Sequence, residues 1–382
     1  MFLDQIILLI ERSLLRILII SCILIQVSCK KSFPPLLQEL GKIECPRQYV
    51  VYKNIDTIII DGKDNEASWQ EASWSTSFVD ITGENTEPQP LDTRFKMLWS
   101  EEYLYVLAKL TEPHIWATLT EKDAVIYHDD DFEIFIDADG DGHNYIEIEI
   151  NAMNTVWDLF LTKPYRVVKQ KKVLWRWNIS GLHTATAIKG TLNDARDNDD
   201  FWMVEMAIPM PVLQEFAPGG TPNEGSLWRI NFSRVDWPVE IKNNKYQKKK
   251  DKEGKILPER NWVWSPHGAV NMHMPERWGY LQFTGSKVGE SIVDLAPDPD
   301  CSLKQLAYRY FQVLREKYWK IGRYPQNLEG AGLSRSTILG DFHYEPGKQR
   351  FELIFSSKTT GKIWVINEEG RLYTSPPSPA FD

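Results

Sequence analysis

Period-two alternation is the feature that most constrains this chain. From Val50 to Phe283 apolar side chains recur at every second position in short runs separated by turn residues. Residues 95–99 form one run, Ser100-Glu101-Glu102 the turn and 103–110 the return, which predicts a hairpin. Further strands are predicted over 132–137, 145–151, 155–161, 173–178, 203–208, 228–235 and 279–283. About ten short strands with long loops predict an all-β fold, an antiparallel β-sandwich of jelly-roll-like type. Helical spacing in this region is confined to one turn at 212–216. The lysine-rich run 242–255 reads as a solvated loop.

After Pro297 the period changes. Leu303, Leu306, Ala307, Tyr310, Phe311 and Leu314 share one face of a helix expected over 303–318, with Asp300 as its cap. Residues 350–356 and 362–366 then predict a hairpin. The sandwich is therefore assigned to 45–285 and a small C-terminal extension, helix plus hairpin, to 286–382, with a frayed Pro-rich end.

The first residues read as an address. Arg12 and Arg16 precede an apolar run over 17–27, too short to span a bilayer but suited to a signal peptide. Val27-Ser28-Cys29 followed by Lys30-Lys31 resembles a bacterial lipobox. Cys22 follows a similar Ile19-Ile20-Ser21, but too few apolar residues separate it from Arg16. The expectation is a signal peptide over 1–29 with lipidation at Cys29 and a linker over 30–44. The mature chain is then exported and anchored by lipid to the bacterial cell envelope, in the outer membrane or periplasm. Cys45 and Cys301 would be its remaining cysteines, and an oxidising compartment permits a disulfide between them.

A net charge of -9 argues against a nucleic-acid partner. No nucleophile elbow, P-loop or dinucleotide fingerprint is present. The alternation itself points to chemistry. Ile134 and Ile136 on one strand, and Ile146, Ile148 and Ile150 on the next, must face the core. The opposite face then carries Glu133, Tyr145, Glu147, Glu149 and Asn151. Adjacent like charges destabilise a sheet unless something pairs with them. Either Arg176, Arg234 or Arg277 closes this face by salt bridges, or ligand hydroxyls or a cation complete it. Trp69, Trp99 and Trp202 sit in apolar patterns and read as core. Trp157, Trp175, Trp177, Trp237, Trp262 and Trp264 lie near turns or polar neighbours, and some of them should be exposed.

Asp137-Ala138-Asp139-Gly140-Asp141-Gly142 is the most metal-like segment. Asp137, Asp139 and Asp141 place hard oxygen ligands at alternate positions, so calcium is the expected ion. Ile148 stands where an EF-hand would carry its bidentate Glu, and Asp-Gly pairs also make hairpin turns unaided. Asp129-Asp130-Asp131 reads as structural.

Several segments together carry a family resemblance: Asp61-Gly62 with Glu66 and Trp69; Leu98-Trp99-Ser100-Glu101-Glu102-Tyr103; Asp130-Asp131-Phe132-Glu133-Ile134-Phe135-Ile136-Asp137; Trp228-Arg229-Ile230-Asn231-Phe232; Trp264-Ser265-Pro266; and Arg277-Trp278-Gly279-Tyr280. In this order they resemble the family 9 carbohydrate-binding modules over about 45–285. The resemblance implies a sandwich that binds sugar between two aromatic walls, often beside xylan- or cellulose-degrading enzymes, with structural calcium in some members. The first wall falls at Tyr127 and the second near Met272 or His273. The family's site carboxylate matches Glu133, Glu149 stands where the family has an arginine, and polar positions match Asn231 and Ser233. The expected sugar site is thus Tyr127, Glu133, Glu149, Asn151, Asn231, Ser233 and His273, with an oligo- or polysaccharide, plant-type glycans included, as partner. The expected function is non-catalytic carbohydrate binding that supports polysaccharide breakdown. The alternatives are a glycoside-active enzyme using paired carboxylates such as Glu133, Glu147 and Glu149, and a structural component of an envelope complex.

Overall fold

The computed structural model describes residues 44–83, 91–167, 172–217 and 220–374. The expected signal peptide, the lipidation at Cys29 and the frayed C-terminal end lie outside these residues. Glu44–Asp382 forms a single compact unit.

The sandwich is one 13-stranded sheet folded over on itself. Tyr145–Asn151 pairs with Asp131–Asp137, which pairs with Leu227–Asp236, and that strand pairs with Gly279–Lys287. The other layer holds Thr93–Trp99, Tyr103–Thr111, Phe201–Pro209 and His183–Lys189. The first strand, Gln48–Lys53, joins the layers and runs parallel to both of its neighbours. The expectation of a wholly antiparallel sheet fails only here: this strand enters between elements that are already paired elsewhere, and no hairpin sets its direction.

Cross-strand registers put Ile134 opposite Ile148, Ile136 opposite Ile146 and Phe132 opposite Ile150. These residues face Phe95, Val106, Val204 and Met206 of the other layer in the main core. Unlike many antiparallel sheets, both outer faces are also covered. Trp69, Leu98, Tyr105 and Leu107 form one outer cluster, and Ile126, Phe135, Tyr145, Trp157 and Trp278 the other. The Asp61-Gly62, Glu66 and Trp69 signature belongs to the first of these. Glu205 accepts hydrogen bonds from Trp69 Nε1 at 2.8 Å and from the Asp61 and Gly62 amides at 2.9 Å. Gly62 has φ +81°, and a Cβ there would meet the Ala187 nitrogen at 2.8 Å, so the turn requires glycine.

Several expected elements change. The strand expected over 173–178 is only Val173–Leu174, which leaves Trp175 in a turn. The lysine-rich run is not all loop. Val239–Lys242 and Lys245–Lys248 form a hairpin whose turn, Asn243-Asn244, has φ of 54° and 55°, the conformation of a tight type I′ connection. The helix extends over Cys301–Ile321. Asp300 occupies its N-cap position, but its side chain makes no cap hydrogen bond; its carboxylate accepts instead from Ser357 Oγ, Thr360 Oγ1 and Trp364 Nε1. The expected hairpin is the middle of a four-stranded sheet, Gly340–Pro346, Phe351–Ser357, Ile363–Asn367 and Leu372–Thr374. Cys45 and Cys301 are joined as a disulfide, with Cα atoms 6.0 Å apart.

Candidate functional site

The carboxylate-bearing face forms the floor of a cavity of about 460 Å³. Its geometry follows from the ladder. Glu133 lies opposite Glu149, and Glu149 opposite Trp157. In the next row Phe135 lies opposite Glu147, and Glu147 opposite Leu159. The same alternation that buries the isoleucines therefore lines up three carboxylates and an indole on the other side of three neighbouring strands. That face is not solvated: Glu133, Glu147 and Glu149 are only 4%, 5% and 2% exposed. The turn Ile126–His128, the segment at Tyr165 and the 270–273 loop cover it.

The walls are aromatic. Trp175 stacks on Trp157 at 5.5 Å between ring centroids and 15° between planes, and is half exposed. The Trp157 Nε1–H donates to the Trp175 carbonyl at 3.0 Å, which fixes the turn that presents Trp175. Tyr127 stands exposed on its short turn. That turn is held by its amide donating to Glu149 Oε2 at 3.0 Å and by Trp237 Nε1–H donating to its carbonyl at 2.8 Å. Tyr165 packs edge-on against His273, with ring centroids 4.0 Å apart.

Burial pushes the Glu133 carboxyl up to about 7, and Glu259 adds to the push. Desolvation raises Glu147 and Glu149 well above the usual carboxylate range, reinforced by Glu133; the amides of Tyr127 and Ile126 partly offset this at Glu149. Among the described residues no lysine or arginine pairs with these three. Arg234 is turned to Glu112, Arg277 to Gln305, and Arg176 is exposed. Closure of this face by salt bridges is therefore not what the fold does.

Of the residues predicted from sequence, Tyr127, Glu133, Glu149 and His273 line the cavity. His273 contributes as part of a wall, its Nδ1 bonded with the Tyr145 hydroxyl at 2.7 Å. Asn151, Asn231 and Ser233 do not line it. Asn151 donates to the Leu119 carbonyl and Asp129, and accepts from the Met153 and Thr155 amides, so its capacity is spent on a turn. Asn231 exchanges two hydrogen bonds with the Ser265 backbone. Ser233 is buried opposite Glu133 in the ladder, beside the carboxylate and away from the opening. Sequence reasoning did not place Trp175, Tyr165 or Glu259 in the site. All three come from irregular segments, where no period carries information; Trp175 was legible only as an aromatic near polar neighbours.

Asp129, Asp130 and Asp131 accept from backbone amides of Thr118, Trp237 and Val235, as a structural role requires. In the 137–141 loop, Asp137, Asp139 and Asp141 each bring one oxygen within 4.8 Å of the others. Burial raises Asp137 well above the usual range, and Asp139 and Asp141 raise it further. Hard oxygens and uncompensated charge fit a calcium-type cation. Arg371, at 2.7 Å from Asp141 Oδ2, already neutralises one of the three.

The profile of the Carbohydrate family 9 binding domain-like family matches residues 60–255, just over half of the chain. Endo-1,4-beta-xylanase C of Paenibacillus barcinonensis is 34% identical over 91 residues; the stretch is 24% of this chain and 8% of that enzyme. Two solved structures of a carbohydrate binding module family 9 from Caldicellulosiruptor kristjanssonii, in complex with cellotriose and with glucose, align at 18% identity and TM-score 0.39. They cover 65% and 66% of this chain and all of the module.

Proposed function

The chain belongs to the Carbohydrate family 9 binding domain-like family, and on that premise we propose that it binds an oligo- or polysaccharide, without cleaving it, in the cavity between Tyr127 and the 270–273 loop. The observation that carries this reading is the pairing of a half-exposed indole, Trp175 on Trp157, with buried carboxylates that have oxygens to spare. One face of a sugar ring presents C–H bonds that pack on an aromatic plate, and its hydroxyls can donate to carboxylates. Catalysis by paired carboxylates is the weaker reading. A glycosidase sets its acid and its base or nucleophile on either side of the scissile bond, whereas Glu133, Glu147 and Glu149 rise side by side from one sheet face.

Calorimetry against a glycan panel, plant-type glycans included, tests the site. Trp175→Ala and Tyr127→Ala should each weaken binding about tenfold, roughly 1.4 kcal/mol, and Tyr127→Phe should weaken it less. Melting curves should stay near the parent's, and no reducing sugar should be released. Full affinity in both alanine variants would put the sugar elsewhere.

The same reading places the mature protein at the bacterial cell envelope, supporting polysaccharide breakdown, with lipid on Cys29. The charged start, the apolar run over 17–27 and the small residue before Cys29 support this. Mass spectrometry of the membrane fraction should find a diacylglyceryl adduct on Cys29; an adduct on Cys22, or none, rejects the assignment. Asp137, Asp139 and Asp141 are proposed to hold a structural calcium ion.

A further inference from the structure

Three of the six buried glutamates among the described residues are satisfied by side chains and amides outside the cavity. Glu205 is taken up by Trp69, Asp61 and Gly62. Glu112 pairs with Arg234, and Glu276 accepts from Arg166 at 2.6 Å. The cavity breaks this pattern. Glu147 Oε2 and Glu133 Oε2 are buried with no donor in hydrogen-bond geometry, although the Ser233 hydroxyl lies beside Glu133, and both side chains line the cavity. Asp131 Oδ2, next to Glu133 on the same strand face, is likewise without a partner. The chain carries 44 lysines and arginines, yet none lines the cavity among the described residues.

Buried oxygens left unpaired cost free energy unless a partner arrives, and carboxylates in mutual contact resist ionising together unless a positive charge compensates them. The groups that face Glu133 and Glu147 are Glu149 and Asp131 from the same sheet, Glu259 from the irregular segment before residue 260, the phenols of Tyr127 and Tyr165, and His273 across the cavity. His273 Nδ1 is engaged by Tyr145, and no lysine or arginine of the described residues joins the set. Aromatic faces beside carboxylates suit an ammonium group, which gains both a cation–π contact and charged hydrogen bonds. They are unfavourable to a second carboxylate.

We propose that this cavity selects an amino sugar, with its ammonium group on Glu133 and Glu147 and its ring against Trp175, and excludes uronic acids. The inference rests on the carbohydrate-binding reading above and deepens it. It also predicts that binding expels protons from the carboxylate cluster, because a cation favours the ionised acids.

Calorimetry of the intact chain with glucose, glucosamine, N-acetylglucosamine and glucuronate, with and without EDTA, tests it. Glucosamine should bind at least tenfold more tightly than glucose or N-acetylglucosamine and should release protons measurable from buffer-dependent heats. Glucuronate should not bind. Glu133→Gln and Glu147→Gln, checked for folding by melting curves, should each erase most of the glucosamine advantage. Equal binding of glucose and glucosamine, or an advantage that survives in both variants, overturns the selection for an ammonium while leaving sugar binding in place. A preference abolished by EDTA overturns it too, because a bound cation would then be the ligand of these carboxylates. Binding of none of the four sugars or their oligomers overturns this inference, and only failure of the whole glycan panel overturns the carbohydrate reading with it.

Discussion

At the scale of single residues, Glu133, proposed above to meet the ligand, is buried at a cost in stability. Its carboxyl is held at about 7 by burial. A carboxyl with a raised folded pKa holds its proton more tightly in the native state than in the unfolded chain. Its stabilising share is therefore complete below the ordinary glutamate value and is lost as pH rises through about 7. Glu133→Gln, which keeps the shape and removes the charge, should raise stability at pH 8 by on the order of 1–3 kcal/mol and change it little at pH 4. Melting curves of parent and variant across that range decide the matter; a gain that is larger in acid would contradict the sign. Trp175 is the complementary case. Half exposed and stacked on Trp157, it packs on one indole while remaining open to the cavity.

At the scale of elements, the loop over 137–141 shows what turn chemistry can and cannot do alone. Asp137 accepts from the Gly140 and Gly142 amides at 3.0 and 2.9 Å, which suffices to close the turn. Three carboxylates remain clustered there, and among the described residues Arg371 is the cation paired with them. Bound calcium should stabilise the fold as the logarithm of its excess over Kd, roughly 2.7 kcal/mol at a hundredfold excess. Calcium should accordingly raise the melting temperature and EDTA lower it, and Asp139→Asn should blunt both effects. Identical melting with calcium and with EDTA would return the loop to turn duty. The Val239–Lys242 and Lys245–Lys248 hairpin makes a related point. Its Lys248 Nζ donates to the His128 carbonyl at 2.6 Å and sits 3.2 Å from the Trp237 ring centroid, so part of the charged run braces the turn that carries Tyr127.

At the scale of the whole molecule, the C-terminal segment is tied to the sandwich at several independent points. The Cys45–Cys301 disulfide links the lead-in to the first strand with the start of the helix. Arg315 donates to the Arg166 carbonyl, Gln305 bridges Arg277 and the Glu276 carbonyl, and Arg371 and Leu372 bond to Asp141. A bridge between residues so far apart in sequence restricts the unfolded chain strongly. Replacing Cys45 and Cys301 together by serine should lower stability by about 2–5 kcal/mol, with a matching loss on reduction of the parent, read by denaturant unfolding. An unchanged midpoint would show that the polar contacts alone hold the two parts.

Alternation by itself determined the sandwich, its isoleucine core and the line of carboxylates behind it, because side-chain direction in a strand has a fixed period of two. Residues 303–314 announced their helix for the same kind of reason, a period of 3.6. The fate of the carboxylate face lay beyond any local pattern. Whether Glu133, Glu147 and Glu149 meet water or lie under loops depends on Ile126, Tyr165 and the 270–273 segment, which come from distant stretches with no period of their own. Asn151 and Asn231 look like ligand contacts in a strand pattern, yet the tertiary structure spends them on backbone groups of neighbouring loops. Trp175 enters the site only because the strand before it stops after two residues. Buried polar groups take whichever partners the packed chain brings within reach, and that choice is made by the contacts between elements.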